Sequence, residues 1–179
     1  MVDELSTEAP ANPMLTPEIG KVVVNISTGE SGEPLERAMT ILEQMTGQKP
    51  CIRNAKRTIR TFGIRKNEPI SCIVTLRSQR AEGFLRRALE AVGNKVPLSS
   101  FDENGNFSFG IREHIDIPGT KYDPTLGIVG MDVIVGVERP GYRVKRRRRA
   151  QVKVGRRHRV KRETSVEFIK GRFGTEVET

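Results

Sequence analysis

Twice in its first half the chain passes from a short β-branched run into a segment whose apolar residues recur every three or four positions. No other feature constrains its folding as much. Residues 21–26, KVVVNI, end at Ser27, Thr28 and Gly29 and predict a strand and turn. From Glu33 to Met45, the residues Leu35, Ala38, Met39, Ile41, Leu42 and Met45 fall on one helical face, with Pro34 near the start and Gly47 past the end. Residues 70–76, ISCIVTL, predict a second strand, and residues 80–92 carry Phe84, Leu85, Ala88, Leu89 and Val92 at helical spacing. Farther on, a turn-rich stretch leads into the alternating FSFGI of residues 107–111. The alternation of Ile111, Ile115 and Ile117 with polar residues predicts a strand with a polar face through residue 117. Residues 131–137, MDVIVGV, predict another strand, and Thr164 with Glu167 fits a capping box opening a short terminal helix with Ile169 and Phe173 on one face. The expected class is α+β: an antiparallel sheet with helices packed on one face and the other face free to dock a ligand.

Charge divides the same chain differently. Of its 31 Lys and Arg, 13 lie in residues 139–162, which hold no acid, leaving 18 bases against 22 acids elsewhere. Residues 49–66 hold seven more bases and no acid. An acidic body with two basic appendages points to a polyanionic partner, and the net charge of +9 comes from those appendages. At 179 residues the chain suits one domain with additions. The expected organisation is a flexible or extended arm over 1–18, an α+β domain over 19–138 with a projecting basic loop at 52–68, a basic extension over 139–163, and a terminal helix and tail over 164–179. The arm contains Pro10, Pro13 and Pro17. Its opening residues are acidic with no apolar core, so neither a secretory signal nor a transit peptide is expected.

Within the extension, Lys145, Arg146, Arg147, Arg148 and Arg149 are consecutive, a density that self-repels until phosphates neutralise it, so the free segment is expected to lack a fixed shape. Arginine's planar fork favours RNA, where it can grip phosphate and stack on unpaired bases, over a merely acidic protein; a localisation signal or a solvated charge run is the plainer alternative. In the loop the bases are interleaved with Ile52, Ile59, Phe62 and Ile64. Either these touch RNA from a long functional loop, or they belong to a β-hairpin and face the core. Enzyme chemistry would have to rest on Glu113, His114, Asp116 or Asp132, which nothing joins into a site, so no catalytic residue is assigned. Gly127, Gly130 and Gly136 match neither a P-loop nor a dinucleotide fingerprint. Cys51 and Cys72, 21 positions apart, predict idle or buried thiols, with no metal site and no cofactor. A DNA-binding or chromatin-type protein is the alternative to an RNA binder, and it is disfavoured because neither internal helix is basic throughout.

The blocks KVVVNISTGE (21–30), TGQKP (46–50), AKRTIRTFGIRKNEPI (55–70), VTLR (74–77), SSFDENGNFSFGIREHIDIPG (99–119), YDPTLGIVGMDVIV (122–135) and ERPGYRVKRRRR (138–149) resemble, in order and spacing, the family of the ribosomal protein numbered five in the large-subunit series. The ERPGYR continuation resembles its archaeal and eukaryotic branch. Asn67 and Ser71 stand where the family usually has glycine. The resemblance implies a non-catalytic, cytoplasmic component of the large ribosomal subunit that binds 5S rRNA and large-subunit rRNA and helps attach the 5S rRNA in the central protuberance. It also implies contact with P-site tRNA, with neighbouring proteins of the protuberance and with the small-subunit head. On that reading Asn25, Thr46, Gln48, Lys49, Arg53, Thr75 and Arg77 bind 5S rRNA near one edge of the sheet. Lys56, Arg57, Thr58, Arg60, Phe62, Gly63, Arg65 and Lys66 form the loop that touches tRNA. Arg139, Arg143, Lys145, Arg146, Arg147, Arg148, Arg149, Lys153, Arg156, Arg157, Arg159, Lys161 and Arg162 thread along rRNA.

Overall fold

The computed structural model describes residues 12–178. Asn12 opens the described chain by accepting the Met14 amide on its side chain (3.0 Å), which caps a single 3₁₀ turn at Pro13–Leu15. The first strand, β1 (Glu18–Ser27), therefore starts within the segment expected to be an arm; residues 1–11 of that arm lie outside the described residues. Then follow helix α1 (Glu33–Thr46), strands β2 (Cys51–Asn54) and β3 (Pro69–Leu76), helix α2 (Ser78–Ala91), and strands β4 (Lys95–Pro97), β5 (Phe107–Ile111) and β6 (Met131–Glu138). The chain ends with a four-residue turn of helix α3 (Arg143–Arg146), helix α4 (Arg162–Phe173) and strand β7 (Glu176–Glu178).

Five strands form one antiparallel sheet in the order β2-β3-β1-β6-β5. The register places Val22 opposite Leu76 and Val135, and Val24 opposite Val74 and Val133, so one face is a layer of buried aliphatic side chains. Both amphipathic helices cover that face. Leu35, Ile41 and Leu42 of α1 and Phe84, Leu85 and Leu89 of α2 are fully or nearly fully buried with it. Each such side chain withdrawn from water contributes about 1.5–3 kcal/mol, which is why the helices dock by their apolar stripes. The expected α+β sandwich, an antiparallel sheet with one helical layer, is the observed one.

Three expectations need correction. The alternation at residues 111–117 is not a strand: β5 stops at Ile111 and a 3₁₀ turn occupies His114–Asp116. His114 is buried and exchanges bonds with the chain across the loop, its amide donating to the Val129 carbonyl (3.1 Å) and its Nδ1 accepting the Val129 amide (3.3 Å). It is an internal tie that closes residues 114–129. The terminal helix begins at Arg162, two residues ahead of the expected capping box, with Lys161 at the N-cap making no side-chain bond. Thr164 thus lies inside the helix. Ser165, fully buried, donates to the Gly105 carbonyl instead (2.6 Å). Beyond α4, the tail is itself a strand, β7, paired in parallel with β4. No described helix is long and apolar enough to cross a membrane.

Candidate nucleic-acid interface

The sheet face away from the helices is uncovered. Alternation puts Lys21, Val23 and Asn25 of β1 on it, beside Ser71, Ile73 and Thr75 of β3, Arg53 of β2, and Asp132 and Ile134 of β6. No strand residue on this face is aromatic, so the face has no platform on which bases could stack; it has amides, hydroxyls and charged termini. The Asn25 amide reaches the Asp132 carboxylate at 3.4 Å, placing a donor and an acceptor side by side near the centre of the sheet. Of the residues expected to bind 5S rRNA, Asn25, Arg53 and Thr75 share this face on the β2-β3-β1 half. Arg77 is exposed just beyond β3, and Gln48 and Lys49 are exposed on the turn between α1 and β2. Thr46 is different: its hydroxyl donates to the Leu42 carbonyl (2.6 Å) and lies 3.4 Å from the Gln48 amide, holding the end of α1.

The basic loop is a hairpin between β2 and β3, yet its apolar residues do not face the core. Phe62 is 73% exposed, and Ile52 and Ile59 are about half exposed. The tip is built from backbone: Ile59 and Ile64 exchange amide–carbonyl bonds (2.9 and 3.2 Å) around a 3₁₀ turn, Arg60–Phe62, which ends at Gly63 with φ of 70°, a conformation costly for any side chain with a Cβ. Behind the tip, Thr58 accepts the Lys66 amide (3.0 Å), and Glu68 accepts the Arg65 amide (2.7 Å) and the Ser31 hydroxyl (2.9 Å). The Arg65 amide first, then Ser31, holds the Glu68 carboxyl below its ordinary value. Asn67 takes φ of 70°, where the family resemblance led one to expect glycine; asparagine tolerates that conformation better than most residues. All eight residues of the expected tRNA-contact set are exposed on this braced loop.

The extension is not shapeless. His158 Nε2 donates to the Pro140 carbonyl (2.8 Å), the Val160 amide donates to the Tyr142 hydroxyl (3.0 Å), and Val160 is buried against the 102–106 turn. These contacts clasp residues 142–160 into a loop lying beside β6. Several bases assigned to rRNA stitch that loop internally: Arg147 Nε donates to the Ala150 carbonyl (2.8 Å), Arg159 Nε to Val154 (3.2 Å) and Arg139 to Arg157 (3.4 Å). Arg146 pairs with Glu138. Arg162 is a fold residue, half-buried at the start of α4 with its guanidinium bonded to the Leu98 carbonyl. Arg148, Arg149, Lys153, Arg156 and Lys161 are exposed.

Between the extension and the open face runs a groove of about 760 Å³. Lys145, Arg146, Lys153 and Arg159 line one side, and Lys21, Asn104 and Asn106 the other, with Asp102 and Glu138 as its acids. Sequence reading missed Lys21, Asn104 and Asn106. The odd-numbered alternation of KVVVNIS was the available signal for Lys21, since it puts Lys21 on the face of Asn25. The two asparagines looked only like turn residues, and Asn106 is indeed bonded to Asp102 through both its backbone and side-chain amides (2.7 and 2.8 Å).

The sequence also matches two family descriptions: "Ribosomal protein L5" over residues 12–65 and "ribosomal L5P family C-terminus" over residues 69–168. The chain belongs to the ribosomal L5 family. It is 55% identical to the large ribosomal subunit protein uL5 of Aeropyrum pernix over 97% of this chain and 91% of that protein. Identity to the protein of the same name is 52% in Sulfurisphaera tokodaii (93% and 94% covered) and 49% in Methanococcoides burtonii (94% and 99% covered). This L5-family chain is thus of the archaeal type and a ribosomal protein rather than an enzyme, in agreement with the sequence resemblance.

Proposed function

We propose that the chain is a structural component of the large ribosomal subunit that binds 5S rRNA through the open sheet face and the adjoining groove, helps attach it in the central protuberance, and touches P-site tRNA with the braced hairpin loop. The observation that carries this reading is the continuity of the open face with the basic groove. Asn25, Thr75 and Arg53 offer amide, hydroxyl and guanidinium groups suited to sugar and base edges, while Lys21, Lys145, Lys153 and Arg159 lie alongside to meet phosphates. The names of the relatives, large-subunit ribosomal proteins, support the same assignment. Neighbouring proteins of the protuberance and of the small-subunit head are partners on the same reading. The hairpin loop suits tRNA because five bases surround an exposed Phe62 without any array that could read sequence, as a site accepting every tRNA requires.

The test is a competition at physiological salt between labelled 5S rRNA and unlabelled duplex DNA of equal phosphate content. Folded 5S rRNA should displace the label far better than the duplex, and Asn25→Ala and Thr75→Ala should each weaken 5S binding. Equal displacement by duplex DNA would overturn the assignment in favour of a general polyanion binder.

A further inference from the structure

A second cleft, of about 570 Å³, opens where β1 starts, β6 ends and α2 begins. Four arginines line it, Arg77, Arg139, Arg143 and Arg146, along with the first residues of α2, Ser78 and Gln79. Three acids line it as well, but two are already engaged: Glu138 pairs with Arg146, and both Glu82 oxygens accept from Arg172 (2.9 Å each). Among the described residues Arg77, Arg139 and Arg143 have no acidic partner, and only Glu18 opposes them. The Nε–H of Arg139 is closed off from solvent and has no hydrogen-bond acceptor. No water-sized group reaches that nitrogen, so a ligand in the cleft meets Arg139 through its terminal nitrogens, of which Nη1 also donates to the Arg157 carbonyl (3.4 Å). The start of the 14-residue α2 adds to this, because Arg77 at the N-cap makes no side-chain cap and the first turn carries no acid.

We propose that this cleft seats a single phosphate group of an RNA strand, held by Arg139, Arg143 and Arg77 against the first amides of α2. The proposal rests on the rRNA-binding reading and sharpens it. The exposed arginines at 147–149 meet phosphates diffusely and contribute mainly by releasing counterions, whereas the cleft fixes one phosphate at a defined point between the extension and the sheet. It thereby sets the register in which the strand enters the groove.

Two measurements on the full chain test it. In the first, inorganic phosphate is titrated into ¹⁵N-labelled protein. The amides of residues 78–80 and the Arg139 Nε–H should shift together along one saturating curve, and Glu18→Gln, which removes the opposing charge, should lower the apparent Kd several-fold. Shifts spread over residues 147–149 without saturation, or an Arg139 Nε–H that does not move, would overturn the proposal. In the second, 5S rRNA binding is compared for two double variants of equal charge, Arg139→Gln with Arg143→Gln and Arg148→Gln with Arg149→Gln, each checked for native circular dichroism. The cleft pair should lose at least tenfold more affinity; equal losses would refute a fixed seat. A wild-type chain that fails to prefer 5S rRNA would sink the functional reading alone, because the free-phosphate titration reports on the cleft independently.

Discussion

Gly105 is where the extension locks onto the domain, and replacing it with alanine should release that lock. Its φ is +76°, and a Cβ built there would lie 2.7 Å from Val160 Cγ1, 3.2 Å from Ser165 Cβ and 3.3 Å from the Lys161 carbonyl oxygen. Val160 is buried and the Lys161 carbonyl belongs to backbone at the start of α4, so neither can swing aside as a flexible surface side chain would. The left-handed backbone costs an alanine roughly 1–2 kcal/mol. The overpacking adds about 1–3 kcal/mol. Gly127 provides the control, since it has nearly the same φ, +74°, and nothing within 4 Å of its built Cβ. Gly127→Ala should therefore lose only the backbone contribution. A gap of about 2 kcal/mol between the variants corresponds, in a chain of this size, to a Tm about 4–8 °C lower for Gly105→Ala. Limited trypsinolysis supplies the local readout. With Val160 displaced, the arginines of 143–159 should be cut far faster in Gly105→Ala than in Gly127→Ala, while the sheet core stays protected. Equal Tm values together with equal cleavage rates would refute the claim that the Gly105–Val160 contact holds the extension in place.

Replacing residues 146–157 with a short Gly/Ser linker, which spares Tyr142, His158 and Val160, should leave the fold intact and flatten the dependence of log affinity for 5S rRNA on log salt by roughly 0.7–0.9 for each phosphate no longer neutralised; an unchanged slope would remove the extension from the interface. Phe62→Ala, at an exposed loop tip, should change unfolding free energy by less than about 0.5 kcal/mol while weakening P-site tRNA retention on reconstituted ribosomes, and normal retention would assign the loop to rRNA alone. The Glu68 carboxyl, held below its ordinary value of 4.5 by the Arg65 amide and Ser31, braces the hairpin loop fully above that value and loses its contribution as pH falls through the lower folded-state pKa. The Arg65 amide resonance followed through an acid titration should accordingly move at a pH below that of a free glutamate, and should stop titrating in Glu68→Gln. Burial pushes the Cys72 thiol up to about 11, whereas Cys51 is exposed, so one thiol should react with maleimide in the native protein and two in denaturant.

How much of this was legible in the sequence varied with what decided each element. β1, α1, β3 and α2 could be read to within three residues at each end because one face of each is buried and the other is not, which writes a period of two or 3.6 directly into the apolar positions. The same signal misled at Ile111, Ile115 and Ile117. Ile111 and Ile117 are buried, but the chain between them turns, and a turn that returns alternate residues to the core has the apolar pattern of a strand. β4 and β7 are three residues each and pair 81 positions apart in sequence, so nothing local announced them. At the interface, residue types were legible and roles were not. That Thr46 is occupied by the end of its own helix and Arg162 by the Leu98 carbonyl depends on neighbours brought together by folding. For the hairpin loop, sequence left two readings open, and exposure of Ile59 and Phe62 decides against packing in the core.

The extension shows how a segment with 13 bases can have a definite path without acids of its own. Its path is held by the Tyr142 hydroxyl, the His158 ring and the buried Val160 side chain, none of them among those bases, and by one base, Arg162, which reaches the Leu98 carbonyl. One borrowed acid, Glu138 at the end of β6, takes Arg146, and carbonyl oxygens within the extension take Arg147 and Arg159. The exposed bases are thereby held close together although they repel one another, and that repulsion is relieved when phosphates arrive. On the rRNA-binding reading, pre-arranging charge in this way lowers the ordering cost that a fully disordered basic tail would meet on binding RNA. It also separates the two jobs by residue: a variant at Tyr142 should loosen the loop while leaving its charge intact, whereas a variant at Arg148 should remove charge while leaving the loop in place. On the rRNA-binding reading, Tyr142→Phe, which deletes only the acceptor of the Val160 amide, should weaken 5S rRNA binding with an unchanged salt slope. A Tyr142→Phe variant that instead flattened the slope would mean that the loop's order and its phosphate contacts are not separable, and that the basic segment is shaped by RNA rather than by the fold.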